Sequence, residues 1–230
     1  GKDIQFVTPD GLSVCPHEIE KWNPNGESLV WVLLPAMENG TEFTMFFAGT
    51  PLTANDPTAV WTDYTGVWHM SEASGTVKDS TGHGLDAVPG GAQVSASVAF
   101  EGGPAGVARQ FATAKGNKTY LVVPNYDSFG LGSNFTIQGW FKATECFTSY
   151  SARYLSRKNT YQDGNGWEFE QRYDASDVNK PKTTVSARGA ASGDHVQIVP
   201  DITAAWLDLA LNYNGKNLQY YVNGAAGSKI

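Results

Sequence analysis

Charge is scarce in this sequence. Only 17% of its 230 residues are Asp, Glu, Lys or Arg, and the balance is acidic, with a formal net charge of -7. That argues against a nucleic-acid partner, because neutralising phosphates takes a basic stripe. It equally argues against docking on an anionic bilayer through charge. Long apolar runs are also missing. The longest, Leu29-Val30-Trp31-Val32-Leu33-Leu34, has the length of a strand and falls well short of the ~18–20 residues needed to span a bilayer. Cysteine is limited to Cys15 and Cys146. The absence of a CxxC and of a Cys/His cluster argues against a structural zinc site. The pair fits either two buried thiols or a disulfide formed in an oxidising compartment. No initiating Met and no signal peptide are visible. The sequence, opening at Gly1, reads as a mature fragment or an excised piece, and its start carries no information about export.

Catalytic signatures are missing as well. There is no GxSxG, no HExxH, and no phosphate-cradling glycine loop followed by Lys-Ser/Thr. The four histidines, His17, His69, His83 and His195, are scattered without an i,i+4 partner. His69, within Val67-Trp68-His69-Met70, is expected to be a strand residue bonded to neighbouring backbone. A catalytic base would need an oriented partner within reach.

What the sequence does have is aromatics and glycine. Aromatic residues make up 12%, with seven Trp and ten Tyr, and there are 25 glycines. This is the composition of many short strands joined by tight turns. Two regions separate. In residues 1–62, an N-terminal β domain fragment, Ile4–Val7, Ser28–Leu34 and Glu42–Ala48 read as strands. Pro35–Gly40 is expected to join neighbouring antiparallel strands, and Pro51–Thr58, rich in Pro, Asn, Asp and Thr, reads as a linker. In residues 63–230 the strands are expected at Gly66–Met70, Ala108–Phe111, Tyr120–Val123, Phe135–Ala143, Trp167–Tyr173, Thr183–Ala187, Val196–Val199, Trp206–Tyr213 and Leu218–Val222. Turn signals fall between them, at Asn214-Gly215 and Asn223-Gly224 among others. Short helical turns are expected at Tyr126–Gly130 or Pro200–Ala205. The spacing predicts an all-β chain, an antiparallel two-sheet β-sandwich, rather than βαβ units. In Phe135–Lys142 one parity holds Phe135, Ile137, Gly139 and Phe141, and the other Thr136, Gln138, Trp140 and Lys142, as a half-buried strand requires.

The ordered run Ala108-Arg109-Gln110-Phe111, Tyr120-Leu121-Val122-Val123-Pro124 and Phe135-Thr136-Ile137-Gln138-Gly139-Trp140 resembles the laminin G-like domains of bacterial surface and secreted proteins. Leu155–Lys158, Gly166–Phe169, Trp206–Ala210 and Tyr220–Gly224 agree with it, as does Lys78–Ala87 upstream. The resemblance covers about Tyr64 to Ile230 and implies a concanavalin A-like jelly-roll. His17–Trp22, Leu29–Val32, Phe43–Gly49 and Val60–Glu72 resemble the tail of a bacterial domain-of-unknown-function family that often precedes such modules. The opening strands of that family and the closing strand of the laminin G-like fold are both missing from the match. Another polypeptide segment, or more of the same protein, is therefore expected to complete the sheet.

These residues frame three kinds of chemistry. Calcium wants several oxygen ligands on a turn; the turns carrying Asp79 and Asp163 offer them, and the resemblance implies calcium in related modules. The alternative is that Asp79 closes an Asx turn with its own backbone. Glycan recognition wants aromatic faces beside planar hydrogen-bonding groups. Tyr150–Tyr173 concentrates both, giving Tyr154, Arg157, Tyr161, Asn165, Trp167, Gln171 and Tyr173 as candidate ligand contacts. Glycoside hydrolysis wants paired acids; Glu168 and Glu170 share one strand face, where an exposed, solvated strand face joined by Arg172 is the plainer expectation. The reading that emerges is non-catalytic recognition of a carbohydrate or surface glycoconjugate by a secreted or cell-surface protein. A structural or protein–protein adhesion module and a glycoside hydrolase are the alternatives.

Overall fold

A computed structural model describes residues 3–50, 54–90, 98–111, 119–124, 134–142, 152–157, 167–172, 182–187, 195–199 and 205–229. These residues form strands plus a single 3-10 turn at Pro57–Trp61, and every strand pairing is antiparallel. The chain is all-β. It divides into two packed units, Gly1–Gly130 and Leu131–Ile230.

In the first unit the strands are β1 (Gln5–Val7), β2 (Val14–Cys15), β3 (His17–Lys21), β4 (Leu29–Val32), β5 (Thr44–Phe46), β6 (Val88–Gly90), β7 (Val98–Gly103), β8 (Gly106–Gln110) and β9 (Tyr120–Val122). A three-stranded sheet runs β2-β1-β5, and β3-β4, β6-β9 and β7-β8 form two-stranded ribbons. Ile4, Phe6 and Cys15 are buried together, packed by Ile19, Val30, Val32 and Leu34. Cys15 is a free thiol whose pKa is raised by burial; Cys146 lies outside the described residues. Two expectations are corrected here. Pro35–Gly40 does not join neighbours: β4 pairs with β3 and β5 with β1, because His17–Lys21, unrecognised as a strand, supplies the partner for β4. Gly66–Met70 is not a strand. Its hydrogen bonds go instead to the 79–85 loop: Val67 N–H donates to Asp79 Oδ1, Ser80 N–H to the Val67 carbonyl, and the Trp68 indole to the Leu85 carbonyl. Of the expected linker Pro51–Thr58, the described residues 54–58 are held by hydrogen bonds. Asp56 caps the 3-10 turn by accepting from Thr58 N–H, with Pro57 at its first position, and Asn55 bonds both the N–H and the carbonyl of His17.

In the second unit the strands are β10 (Asn134–Phe141), β11 (Ala152–Ser156), β12 (Trp167–Arg172), β13 (Lys182–Ala187), β14 (His195–Val199), β15 (Leu207–Asn214), β16 (Leu218–Val222) and β17 (Ala225–Lys229). They form two four-stranded sheets, β10-β15-β16-β17 and β11-β12-β13-β14. The β15–β16 connection is the hairpin expected from Asn214-Gly215. Asn214 Oδ1 accepts from Lys216 and Asn217 N–H, and Gly215 takes a positive φ of 83°. The next hairpin is a two-residue loop. Asn223 and Gly224 have φ of 49° and 77°, the type I′ geometry that Asn-Gly favours because its twist matches that of the strands it joins.

Alternation in β10 follows the sequence residue by residue: Thr136, Gln138, Trp140 and Lys142 are exposed, and Phe135, Ile137, Gly139 and Phe141 turn inward. The core centres on Leu209 and Leu211, both fully buried, with Leu218 and Tyr220. Burying each leucine is worth about 1.5–3 kcal/mol. Phe141 of the first sheet meets Tyr154 of the second with ring centroids 5.3 Å apart, and Tyr154 packs on the same leucine cluster. Two sheets facing one core make this unit a β-sandwich. The expected helical turns at Tyr126–Gly130 and Pro200–Ala205 fall almost wholly outside the described residues.

Candidate functional site

Among the described residues, polar or ionisable side chains gather in several places. The first lies on β12. Glu168 and Glu170 alternate with Trp167, Phe169 and Gln171, so the two acids share one face. Contrary to expectation that face is covered: Glu168 is 2% exposed and Glu170 6%. Burying a carboxylate is costly unless it is paired. Glu168 is paired with Arg153 of β11, whose Nε donates to Oε2, with the Ser156 hydroxyl 3.5 Å away. Alternation turns Arg153 toward the acids and Tyr154 toward the core, and the bulge in β11 between Arg153 and Leu155 sets Ser156, rather than Leu155, opposite Glu168. The register continues the row across the sheet, setting Glu168 opposite Ser186 and Glu170 opposite Thr184, and these opposite His195 and Gln197.

Of the candidate ligand residues, Tyr154 therefore packs in the core and Arg157 is exposed just past the end of β11. Trp167 and Gln171 occupy β12 positions opposite Ala187 and Thr183, on the parity that excludes the acids. Tyr161, Asn165 and Tyr173 lie outside the described residues, as does Asp163.

The second place is the Asp79 loop. Asp79 Oδ1 accepts from the N–H groups of Val67 and Thr81, and Oδ2 from Leu85 N–H, while the Thr81 hydroxyl bonds both oxygens. Thr81 N–H to Asp79 Oδ1 is the Asx turn. Burial pushes the Asp79 pKa upward, yet these hydrogen bonds outweigh it and hold the carboxyl below its ordinary value. Among the described residues no group of three or more His, Cys, Asp or Glu is arranged to hold a metal ion.

The third place was not visible from the sequence. His69 is bonded to two carboxylates rather than to neighbouring backbone. Its Nε2 is 3.0 Å from Glu18 Oε2, and its Nδ1 faces Glu20 Oε2. The Trp61 indole donates to Glu18, Trp31 Nε1 donates to Glu20 at 2.9 Å, and the Ser80 hydroxyl donates to the other Glu18 oxygen. Glu18 and Glu20, at period two on β3, reach the same side, and the rings of Trp31 and Trp61 flank the imidazole at 6.1 and 5.4 Å. Burial alone would lower the His69 pKa; the hydrogen bonds and charges of Glu20 and Glu18 outweigh it and raise the value. Both ring nitrogens are held by carboxylates, which ties the imidazole into the cluster. It clamps β3 to the 65–70 segment. The period-two pair Glu18/Glu20 was a signal in the sequence, but nothing there named His69 as its partner.

The fourth is the outer face of the β10-β15-β16 sheet. Gln138 Nε2 donates to both Asp208 oxygens, at 3.0 and 3.1 Å, and Asn212 Nδ2 donates to the Thr136 hydroxyl at 3.1 Å. Trp140, paired with Asp208, is 51% exposed. The alternation of Phe135–Lys142 had already placed Trp140 and Gln138 outward.

A laminin G-type family model, described as the concanavalin A-like lectin/glucanases superfamily, matches residues 115–229. The chain belongs to that superfamily. The match covers all of the sandwich strands and begins downstream of Tyr64. No curated protein and no solved structure matches the chain. The superfamily's name spans lectins and glucanases, so membership is compatible with both binding and hydrolysis. No helix among the described residues is long and apolar enough to cross a membrane.

Proposed function

We propose that the chain is a non-catalytic recognition module of an exported or cell-surface protein, and that its sandwich unit binds carbohydrate or a surface glycoconjugate. The observation that carries this reading is the superfamily match over the sandwich strands. The state of the paired acids supports binding over hydrolysis. A glycosidase needs one carboxyl kept protonated and both groups open to the sugar. Glu168 is instead salt-bridged to Arg153, and both acids are buried. A glycan array probed with and without calcium tests the proposal. Saturable binding to a defined saccharide is expected. Turnover of a polysaccharide that disappears in Glu168→Gln would replace recognition with hydrolysis.

A specific feature of the first unit favours the adhesion reading as an addition. Strand β5 lies at the edge of its sheet with Met45 and Phe46 exposed, and Phe43 and Phe47 beside it are exposed as well. An apolar edge strand is a template for a further strand, so β5 offers a pairing place for another polypeptide segment, separate from the one expected to complete the sandwich. Reduced capture of such a segment by Met45→Lys, with sugar binding unchanged, would separate the two activities.

A further inference from the structure

The recognition reading gives the sandwich a ligand class but no contact surface. The outer face of the β10-β15-β16 sheet meets the physical requirements of one. A pyranose with mostly equatorial hydroxyls presents C–H groups above and below its ring and hydroxyls around its rim. It therefore wants an exposed aromatic face beside fixed planar donors and acceptors. Trp140 is the exposed ring. Gln138 and Asp208 lie beside it, already bonded to each other. The backbone of Asp208 is held on both sides by Asn223, whose Oδ1 accepts from Asp208 N–H and whose N–H donates to the Asp208 carbonyl. Asn212 is likewise fixed by Thr136. These side chains have surrendered their rotamer freedom before any ligand arrives, which lowers the entropic cost of binding. The Gln138 amide oxygen and the remaining Asp208 lone pairs suit sugar hydroxyls. In register, Gln138 pairs with Ala210 and Ala210 with Tyr221, so a small side chain sits between two large ones.

From this arrangement we infer that the β10-β15-β16 face is the glycan-contact surface and takes a neutral chain of gluco-type pyranoses. Trp140 stacks on one ring, and Gln138, Asp208 and Asn212 read the hydroxyls of that ring and its neighbours. Thr136, Gln138 and Trp140 recur every second residue, about 6.8 Å apart along one strand, so the platform is longer than a single sugar ring. An open face touches its ligand from one side only. It therefore favours an internal stretch of an extended chain over a single enclosed sugar. The Asp208 carboxylate, on a chain of net charge -7, disfavours uronate or sulfated sugars. This rests on the recognition reading and adds a location and a ligand chemistry to it.

The test is calorimetric titration of the whole chain with neutral β-linked gluco-oligosaccharides and with an oligouronate. The variants are Trp140→Ala, Gln138→Leu and, as a control on an exposed tryptophan of the other unit, Trp22→Ala. Binding of the neutral chain that weakens about tenfold or more in Trp140→Ala, weakens in Gln138→Leu and is unchanged in Trp22→Ala is the expected result. Should Trp140→Ala fail to fold by circular dichroism, Gln138→Leu and Trp140→Phe carry the comparison. Full-strength binding by the folded Trp140 and Gln138 variants would overturn the location while leaving sugar recognition intact. Preference for the oligouronate would overturn the ligand chemistry. No binding of any saccharide by the unaltered chain would remove the recognition reading itself, and this inference with it.

Discussion

His69 Nε2 stands 3.0 Å from Glu18 Oε2, joining residues 51 apart in sequence, while its Nδ1 faces Glu20. The side chains of His69 and Glu20 are 14% and 3% exposed, so this is an internal ion cluster rather than a surface pair.

The raised pKa of His69 makes stability depend on pH. A folded value above the unfolded one means that the clamp's contribution is fully present below the ordinary imidazole value. It is lost as pH rises through the folded value. His17 is shifted down by burial and acts in the opposite sense, so the comparison is between wild type and His69→Gln, in which its contribution cancels. Scanning calorimetry from about pH 5 to about pH 9 is expected to show the wild-type advantage over the variant shrinking as pH rises. Glu20→Ala should cost about 1.5–3 kcal/mol at the acid end, the range for hydrogen bonds to charged groups. A difference independent of pH would rule out the clamp.

Arg153 and Glu168 predict a second asymmetry. Removing the arginine alone leaves a carboxylate that is 2% exposed without this partner, at a cost of roughly 3 kcal/mol. Urea unfolding of Arg153→Met should show that loss. Adding Glu168→Gln to it should recover part of it, since a neutral amide is cheaper to bury. Additive losses would mean that the pair does not act as a unit.

Asp79 organises its loop through backbone N–H groups, and its lowered pKa gives the opposite pH sign from His69. Its contribution holds above the ordinary carboxylate range and falls away as pH drops through the folded value. Asp79→Ala should cost about 2–3 kcal/mol from lost hydrogen bonds. Calcium at this position would have to displace donors from both carboxylate oxygens. Thermal melts with calcium and with a chelator are therefore expected to coincide within about 1 °C; a calcium-dependent rise abolished by Asp79→Ala would establish the cation there.

In the core, Leu211→Ala is expected to destabilise the sandwich by about 3 kcal/mol or more. Fluorescence-monitored unfolding in urea measures it. A loss well under that, about 1 kcal/mol, would mean that Leu211 lies outside the packed centre.

The sandwich was legible because its strands are long enough to show their period. Phe135–Phe141 and Leu207–Asn214 alternate cleanly, and Asn214-Gly215 and Asn223-Gly224 mark the turns between them. Shorter or bulged strands were not: His17–Lys21 carries Glu, Ile, Glu and Lys with a register shift, and Ala152–Ser156 is broken by its own bulge. Gly66–Met70 looked like a strand because Val67, Trp68 and Met70 are apolar, but the Val67 N–H is taken by Asp79, 12 residues away. For the site, period two correctly put Glu168 and Glu170 on one face and Trp140 and Gln138 on another. It could not say which face was covered, because burial depends on a partner such as Arg153. Nor could it bring His69 to Glu18 and Glu20, since that meeting is made by tertiary packing across 51 residues.

Oxidative footprinting read by mass spectrometry puts the recognition surface to the most direct trial. Trp140, Trp22 and Trp31 are 51%, 47% and 42% exposed, so all three should label in the free chain. A saturating neutral gluco-oligosaccharide is predicted to shield Trp140 and leave Trp22 and Trp31 labelled as before. Undiminished labelling of Trp140 in the saturated chain would contradict the account.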